Sequence, residues 1–157
     1  MKKIKGIWLY GLSGSGKSFI SKKIKSNKNK SIIIDGDEVR KHVSNDLGYT
    51  LKDRKVQLNR VYGIAKLIVN SGYYPIISTV YLNKKTVLLC KKLKILPIRV
   101  KRKDFDKIIS KHKTYKNKKN VVGKDIKYPK LKTIEIINNN KKNFVIQNQI
   151  LRKNKVI

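Results

Sequence analysis

Hydrophobic residues recur along the chain in short runs, and the segments between these runs show helical spacing. The runs have the length of β-strands and are almost continuously apolar, which is typical of strands covered on both faces of a parallel sheet. They occupy residues 5–10, 31–35, 73–80, 95–100 and 133–137. Helices are predicted at residues 18–25, 37–44, 53–71, 84–93, 104–112 and 141–152. This alternation predicts an α/β fold, with a central parallel sheet of about five strands and helices on both faces.

The chain has the length of a single domain. Its 157 residues suffice to bury a hydrophobic core, and the sequence has no internal repeat. The stretch KTYKNKKNVVGKDIKYPK, which begins at residue 113, lacks periodicity and is predicted to form a mobile loop. We therefore expect one domain over residues 1–157, with a mobile lid around residues 113–129.

The balance of charges is strongly basic, with 40 Lys and Arg residues against 9 Asp and Glu and a formal net charge of +31. Such a charge fits a nucleic-acid-binding protein, because that association is driven by neutralising phosphates. The lysines are scattered among many Asn and Ile residues, however, so most are interpreted as solvated surface residues. Their summed field still attracts polyanions such as nucleotides. The charge therefore indicates anionic ligands without deciding among them.

The sequence also bears on the cellular compartment. No apolar run approaches the roughly 18 residues of a membrane-spanning helix. The N-terminus, MKKIKGIWLYGL, is basic and then apolar but lacks the cleavage site of a signal peptide. Cys90 is the one cysteine of the sequence, which excludes an internal disulfide and fits a reducing environment. We expect a cytoplasmic protein without a membrane segment.

The segment GLSGSGKS, residues 11–18, follows the first predicted strand and opens the first predicted helix. It fits the phosphate-binding pattern G-x-x-x-x-G-K-[ST] in the structural context that the pattern requires. Glycines let successive main-chain N–H groups surround phosphate oxygens, and the helix adds its unpaired donors. The predicted ATP-binding residues are Gly11, Ser13, Gly14, Ser15, Gly16, Lys17 and Ser18. Lys17 is expected to contact the β- and γ-phosphates, and the Ser18 hydroxyl is expected to be a Mg²⁺ ligand.

The segment DGDEVR, residues 35–40, follows the second predicted strand. It is expected to meet the glycine-rich segment where the strands end. Asp35 and Asp37 have the chemistry to hold Mg²⁺ through water or to orient an attacking hydroxyl group. Arg40 lies one helical turn after Asp37, and its planar guanidinium suits an anionic acceptor. The structural alternative makes Asp37 a helix N-cap and Arg40 a surface partner of a carboxylate.

The segments GLSGSGKS, DGDEVR, DLGYTLKDR and VGKDIKYP, in this order, together resemble the adenylyl-sulfate kinases. The resemblance covers most of residues 5–130 and fades after the fourth strand and in the C-terminal segment. It implies a P-loop NTPase fold and transfer of the ATP γ-phosphoryl group to the ribose 3′-hydroxyl of adenylyl sulfate, with ATP and Mg²⁺ as cofactors. Family members are often dimers, so the resemblance also makes a homodimer an expectation.

Matching positions assign expected roles to individual residues. The resemblance implies catalytic roles for Lys17, Asp37 and Arg40, with Asp37 orienting the acceptor hydroxyl. It implies that the acceptor is bound by Asp35, Asp37, Arg40, Tyr49, Arg54, Gln57 and Val121. Tyr49 stands where the family places a Phe that stacks on the acceptor base. The lid motif is matched by Gly123 and Asp125, with Lys118 and Lys119 beside it.

Departures from the family pattern lie on the acceptor side. Gln57 stands in place of a common Asn, and residues 80–84 lack the Ser, Pro and Arg of the family's block after strand three. Val121 stands where a second aromatic residue usually sandwiches the base, and one base–aromatic stack contributes about 1–3 kcal/mol. These departures favour an altered acceptor, cytidine diphosphoramidate, which a relative of the family phosphorylates during bacterial capsule decoration. A true adenylyl-sulfate kinase is the alternative.

The same residues bear on other classes of function. A nucleic-acid-directed protein using a nucleoside triphosphate is supported by the charge, but few aromatic residues alternate with the basic ones, so we expect no nucleic-acid partner. A small-molecule kinase of the shikimate or gluconate type is disfavoured by DLGYTLKDR and DGDEVR, which favour a small nucleotide-linked anionic acceptor. His42 and His112 have no companions at zinc-ligand spacing, so no zinc site is expected.

Overall fold

A five-stranded parallel sheet organises the structure, a computed structural model that describes residues 3–139, 141 and 144–156. The strands are β1 (Gly6–Tyr10), β2 (Ser31–Asp35), β3 (Tyr74–Thr79), β4 (Ile95–Arg102) and β5 (Ile134–Asn138). Their order in the sheet is β2-β3-β1-β4-β5, so β1 lies in the centre. Every neighbouring pair is parallel, which confirms the predicted sheet.

Helices connect the strands and cover both faces of the sheet. In chain order they are α1 (Lys17–Ser26), α2 (Gly36–His42), α3 (Leu51–Asn70), α4 (Lys84–Leu93), α5 (Phe105–Ile109), α6 (Lys113–Asn117), α7 (Phe144–Gln147) and α8 (Gln149–Lys153). Helix α3 begins at a capping box, in which the side chains of Thr50 and Asp53 each bind the other's main-chain N–H group. Within the described part of the chain, none of the helices is long and apolar enough to cross a membrane.

Alternate residues of β1 point to opposite faces of the sheet and nucleate two hydrophobic cores. Ile7 and Leu9 pack on the face covered by α1, where they meet Ile20. Trp8 faces the other side and packs with residues of α3 such as Leu58. This burial on both faces explains why the segment is continuously apolar instead of alternating.

The C-terminal segment differs from the single helix predicted at residues 141–152. It contains α7 and α8, which are separated at Asn148. The Asn148 side chain accepts hydrogen bonds from the N–H groups of Ile150 and Leu151, at 3.1 and 3.2 Å, and thereby starts a new helix. Residues 142 and 143 of the predicted helix lie outside the described residues.

The segment after β4 also differs from the prediction. The helix predicted at residues 104–112 is shortened to α5, and α6 forms inside the stretch predicted as a loop. His112 is the N-cap of α6, because its Nδ1 atom accepts a hydrogen bond from the N–H group of Thr114 at 3.3 Å. A helix of this length is too short to display a repeating apolar face, so periodicity does not reveal it.

The same substitution should have very different effects on stability in β3, an interior strand of the sheet, and in β2, an edge strand. Ile76 lies on β3 with no exposed surface, whereas Ile32 on the edge strand β2 is 38% exposed. Ile76→Ala should lower the free energy of unfolding by about 2–5 kcal/mol, because it leaves a cavity. The matched control Ile32→Ala should cost about 1 kcal/mol or less. Urea denaturation measures both, and equal losses would contradict the assigned core.

Candidate active site

Residues 11–18, the phosphate-binding segment, join the end of β1 to the start of α1. Gly14 and Gly16 have φ angles of +82° and +94°, in the left-handed region that glycine adopts without strain. Gly16 also lacks room for a side chain, since a Cβ atom there would lie 2.2 Å from Nδ2 of Asn138. No side chain caps α1 at Gly16. The first N–H groups of this helix therefore have no partner in its own ladder and are available to an anion.

Lys17 is buried beneath the phosphate-binding segment, with 9% of its surface exposed. Its Nζ atom donates to the carbonyl oxygen of Leu12 at 3.0 Å. Burial lowers the pKa of Lys17 from 10.5 to about 8, against the opposing effect of the Asp37 and Asp35 carboxylates. An anion beside Nζ would favour the charged form again, so the environment of this ammonium group suits a negatively charged ligand.

Asp35 links the phosphate-binding segment to α2. Its Oδ1 atom accepts from the N–H group of Asp37 at 2.9 Å, which makes Asp35 the N-cap of α2. Its Oδ2 atom accepts from the Ser18 hydroxyl at 3.2 Å. The N-cap that the sequence suggested for Asp37 is thus provided by Asp35, and Asp37 lies in the first turn of the helix. Both carboxylates consequently lie at the mouth of the phosphate-binding segment.

Cationic side chains surround the ring of Tyr49. The guanidinium carbons of Arg40 and Arg54 lie 4.7 and 5.7 Å from the ring centroid, and Nζ of Lys118 lies 5.8 Å from it. Arg40 donates to the carbonyl oxygen of Gly48 and so is held beside the ring. Charges of one sign around an aromatic platform are the features expected of a site for an aromatic anion.

Arg54 and Gln57 carry buried polar atoms without partners among the described residues. Burial lowers the pKa of the Arg54 guanidinium, and the charge of Arg40 adds to this effect. One guanidinium nitrogen of Arg54 donates to the carbonyl oxygen of Asn120 at 2.9 Å, while its Nε atom has no partner among the described residues. Gln57 is 5% exposed and donates from Nε2 to Gly36 at 3.1 Å, and its Oε1 atom likewise finds no partner there. Both residues thus carry hydrogen-bonding capacity that the described part of the chain leaves unused, as is common at functional sites.

Residues 113–129, the lid segment, are partly fixed to the residues that follow β1 and β3. The N–H group of Val121 donates to Oδ2 of Asp125 at 2.9 Å, so Asp125 stabilises a local turn. Gly123 has a φ angle of +91° and lies against the Leu12 side chain. The Tyr128 hydroxyl donates to the carbonyl oxygen of Val80 at 2.9 Å. These contacts anchor the part of the lid segment that follows α6.

A cavity of about 580 Å³ brings most of the predicted residues together. Its lining includes Ser13, Gly14, Gly16, Lys17, Ser18, Asp35, Asp37, Arg40, Tyr49, Arg54, Gln57, Lys118, Lys119 and Val121. Gly11 and Ser15 are not part of this lining. Ser15 is buried behind it, and a Cβ atom on Gly11 would lie 2.2 Å from the carbonyl oxygen of Val100. Close packing against β4, independent of any ligand, thus explains the glycine at position 11.

Several lining residues were not assigned from the sequence. Those with polar side chains are Ser78, Thr79, His112 and Thr114, together with Tyr81, which lies in the block that departs from the family pattern. Thr79 ends β3, and its hydroxyl accepts from the Trp8 indole N–H at 2.8 Å and donates to the carbonyl oxygen of Tyr81 at 2.9 Å. Their place in the sequence could have identified Ser78 and Thr79. In a parallel sheet, polar residues at the end of β3 must lie beside the segment that follows β1.

Comparison with known proteins is consistent with this arrangement. A family model described as adenylylsulphate kinase matches residues 3–117. An adenylyl-sulfate kinase from Myxococcus xanthus is 39% identical over 69 residues, which are 42% of this chain and 37% of the relative. One from Buchnera aphidicola is 32% identical over 100 residues, which are 59% of this chain and 47% of the relative. In these matches the chain spans less than half the length of each curated relative.

A solved structure shows the same fold over the full length. An APS kinase from Mycobacterium tuberculosis, determined in complex with AMPPNP and APS, has a TM-score of 0.79 at 20% identity and covers 99% of both chains. Since the family model matches well over half of the residues and each motif quoted from the sequence contributes residues to the cavity lining, this chain belongs to the adenylylsulphate kinase family.

Proposed function

We propose that this protein is an ATP-dependent kinase that transfers the γ-phosphoryl group to the ribose 3′-hydroxyl of adenylyl sulfate. One observation carries the proposal: the cavity that contains Lys17 and the phosphate-binding segment also contains Tyr49 with its surrounding guanidinium groups. Its volume of about 580 Å³ lies in the range of small-molecule sites. A triphosphate site and a site for an aromatic anion thus share one space, as a direct transfer requires.

The choice of adenylyl sulfate replaces the acceptor favoured from the sequence. The comparisons offer no support for cytidine diphosphoramidate, and the relatives from Myxococcus xanthus and Buchnera aphidicola are adenylyl-sulfate kinases. The departures at Gln57 and Val121 then count as changes within a pocket for the same acceptor. Gln57 keeps an amide group, and Val121 keeps a buried apolar surface on the cavity wall.

The proposed reaction depends on positioning and on charge compensation. Lys17 and the main-chain amides of the phosphate-binding segment bind the triphosphate. Arg40 and Arg54 bind the anionic phosphate–sulfate group of the acceptor. Asp37 accepts a hydrogen bond from the 3′-hydroxyl and takes its proton as transfer proceeds. The bond between the γ-phosphorus and the 3′-oxygen forms while the bond to the β–γ bridging oxygen breaks, and ADP leaves.

Mg²⁺ fits the oxygen atoms near the phosphate-binding segment. The Ser18 hydroxyl and the Asp35 carboxylate supply hard oxygen donors, which this ion prefers. Over the described ranges, no group of three or more His, Cys, Asp or Glu side chains is placed to hold a metal ion, so phosphate oxygens and water would complete its ligands. When bound, the ion would neutralise part of the phosphate charge.

The lid segment is proposed to close over both substrates. Lys118 and Lys119 line the cavity and precede the anchored turn at Val121. With α6 docked on the phosphate-binding segment through Tyr115, these cations would face the transferring group and exclude water, which limits hydrolysis of ATP. The whole chain is proposed to act as one kinase domain, because the lid and the phosphate-binding segment face the same cavity.

The lowered pKa of Lys17 predicts a pH dependence of nucleotide binding. The free protein loses this positive charge as pH rises through about 8, while a bound phosphate favours the charged form. Affinity for a non-hydrolysable ATP analogue should therefore fall above pH 8, by up to about tenfold per pH unit, with proton uptake on binding. Calorimetry between about pH 7.5 and 9.5 tests this. Lys17→Met should abolish the slope and the exposed control Lys22→Met should keep it; a slope that survives Lys17→Met would refute the assignment.

The role of Asp37 predicts a selective loss of turnover. Asp37→Asn should lower kcat by about 100-fold or more, because the amide cannot take the proton, and should change the affinity for the ATP analogue far less. The matched control is Glu38→Gln, the next carboxylate on α2, which is exposed and lies 3.3 Å from His42. That control should retain wild-type kcat. Wild-type turnover in Asp37→Asn would show that another group orients the hydroxyl.

An acceptor screen tests the proposed function as a whole. Purified protein with ATP and Mg²⁺ should phosphorylate adenylyl sulfate with a kcat/KM at least about tenfold above that for cytidine diphosphoramidate. Lys17→Ala should abolish the transfer, which excludes a contaminating kinase. A preference for the cytidine compound would reinstate the acceptor favoured from the sequence. Transfer to neither compound would overturn the proposed function.

A further inference from the structure

Consecutive carbonyl groups of the phosphate-binding segment accept hydrogen bonds from side chains that lie outside it. The donors come from elements far along the chain, at the ends of β4 and β5 and on α6. The pairs are Tyr115 hydroxyl to Ser13 at 3.1 Å, Arg102 Nη1 to Gly14 at 3.3 Å, and Asn138 Nδ2 to Ser15 at 3.0 Å. None of these donor residues lines the cavity.

The direction of a carbonyl group determines the direction of the next N–H group. In a planar trans peptide the two point to opposite sides. Donors that hold the oxygens of Ser13 and Ser15 away from the cavity therefore turn the N–H groups of Gly14 and Gly16 towards it, and both glycines line the cavity. The N–H group between them, on Ser15, donates to Leu12 at 3.1 Å within the turn. Because glycine permits peptides of either orientation, outside donors are needed to select one.

The donors differ in how firmly they are held. Asn138 ends β5 and is 3% exposed, and Arg102 ends β4, where its Nε atom lies 2.7 Å from Asp104. Both belong to the sheet. Tyr115 instead belongs to α6 in the lid segment, where its ring meets Phe105 and His112 with centroids 6.0 and 5.8 Å away.

Additional contacts join α6 to the phosphate-binding segment through the anchored turn of the lid segment. Lys124 donates from Nζ to the carbonyl oxygen of Tyr115 at 3.2 Å. Next to it, Gly123 lies against Leu12. Docking of α6 therefore places the Tyr115 hydroxyl on Ser13, and the same helix precedes Lys118, which lies beside Tyr49. This path connects the acceptor side of the cavity to the triphosphate side.

We infer that Tyr115, Arg102 and Asn138 are positioning residues that orient the amides of the phosphate-binding segment, and that Tyr115 makes this orientation depend on docking of the lid segment. The inference rests on the proposed use of this segment to bind ATP. Occupation of the acceptor side, where Lys118 lies beside Tyr49, should then favour the docked lid and strengthen binding of the triphosphate.

Tyr115→Phe is the decisive variant, because it removes the donor oxygen and keeps the ring. It should weaken binding of a non-hydrolysable ATP analogue and raise KM for ATP by about threefold to tenfold, the equivalent of one hydrogen bond. Turnover at saturating ATP should stay within about twofold of wild type, since bound triphosphate restores the orientation. The control is Ser31→Ala, which loses a hydroxyl-to-carbonyl bond of 2.7 Å to Lys28 where β2 begins, away from the cavity and the lid segment, and should leave KM for ATP unchanged.

Further readouts separate the possible outcomes. Thermal unfolding should show both variants folded. In the wild-type protein, adenylyl sulfate should tighten binding of the ATP analogue, and Tyr115→Phe should reduce this effect towards none. Equal affinity of wild type and Tyr115→Phe would overturn the inference while leaving the proposed function intact, and absence of coupling in wild type would overturn the lid-dependent part. Failure of the wild-type protein to bind the analogue would instead overturn the proposed function.

Discussion

The hydrogen bonds that pair β1 with β3 on one side and with β4 on the other determine where the polar groups of the cavity lie. Parallel pairing brings the ends of all strands to one edge of the sheet. Asp35 ends β2, Thr79 ends β3, Arg102 ends β4 and Asn138 ends β5. Residues separated by more than a hundred positions in the chain therefore surround the segment that follows β1.

The electrostatics of the cavity follow from this arrangement. A buried ammonium group lies at one end, guanidinium groups lie around an aromatic ring at the other, and the Asp35 and Asp37 carboxylates lie near the phosphate-binding segment. Cations of this kind are costly to bury without counter-charges. Anionic substrates at both ends and a carboxylate near the transferred group would compensate these cations. The charges that destabilise the empty cavity would therefore favour binding of the substrates.

Local patterns in the sequence were sufficient for the strands, the long helices and the two motifs. GLSGSGKS and DGDEVR are recognisable because the function of each needs neighbouring residues of a single segment. The strands are recognisable because burial on both faces makes them continuously apolar. The helix break at Asn148 and the short helix α6 were not predicted. Both depend on a single capping side chain, Asn148 or His112, whose alternative roles in loops look identical in the sequence.

The sequence by itself determined the parallel α/β fold, the position of the phosphate-binding segment and the family to which the chain belongs. The tertiary structure alone decided that Gly11 packs against β4, that Lys17 is buried with a lowered pKa, and that side chains from β4, β5 and α6 hold the phosphate-binding segment. The physical reason is distance along the chain. Periodicity and motifs report on neighbours in sequence, whereas burial and hydrogen bonds between remote residues exist only after the sheet has formed.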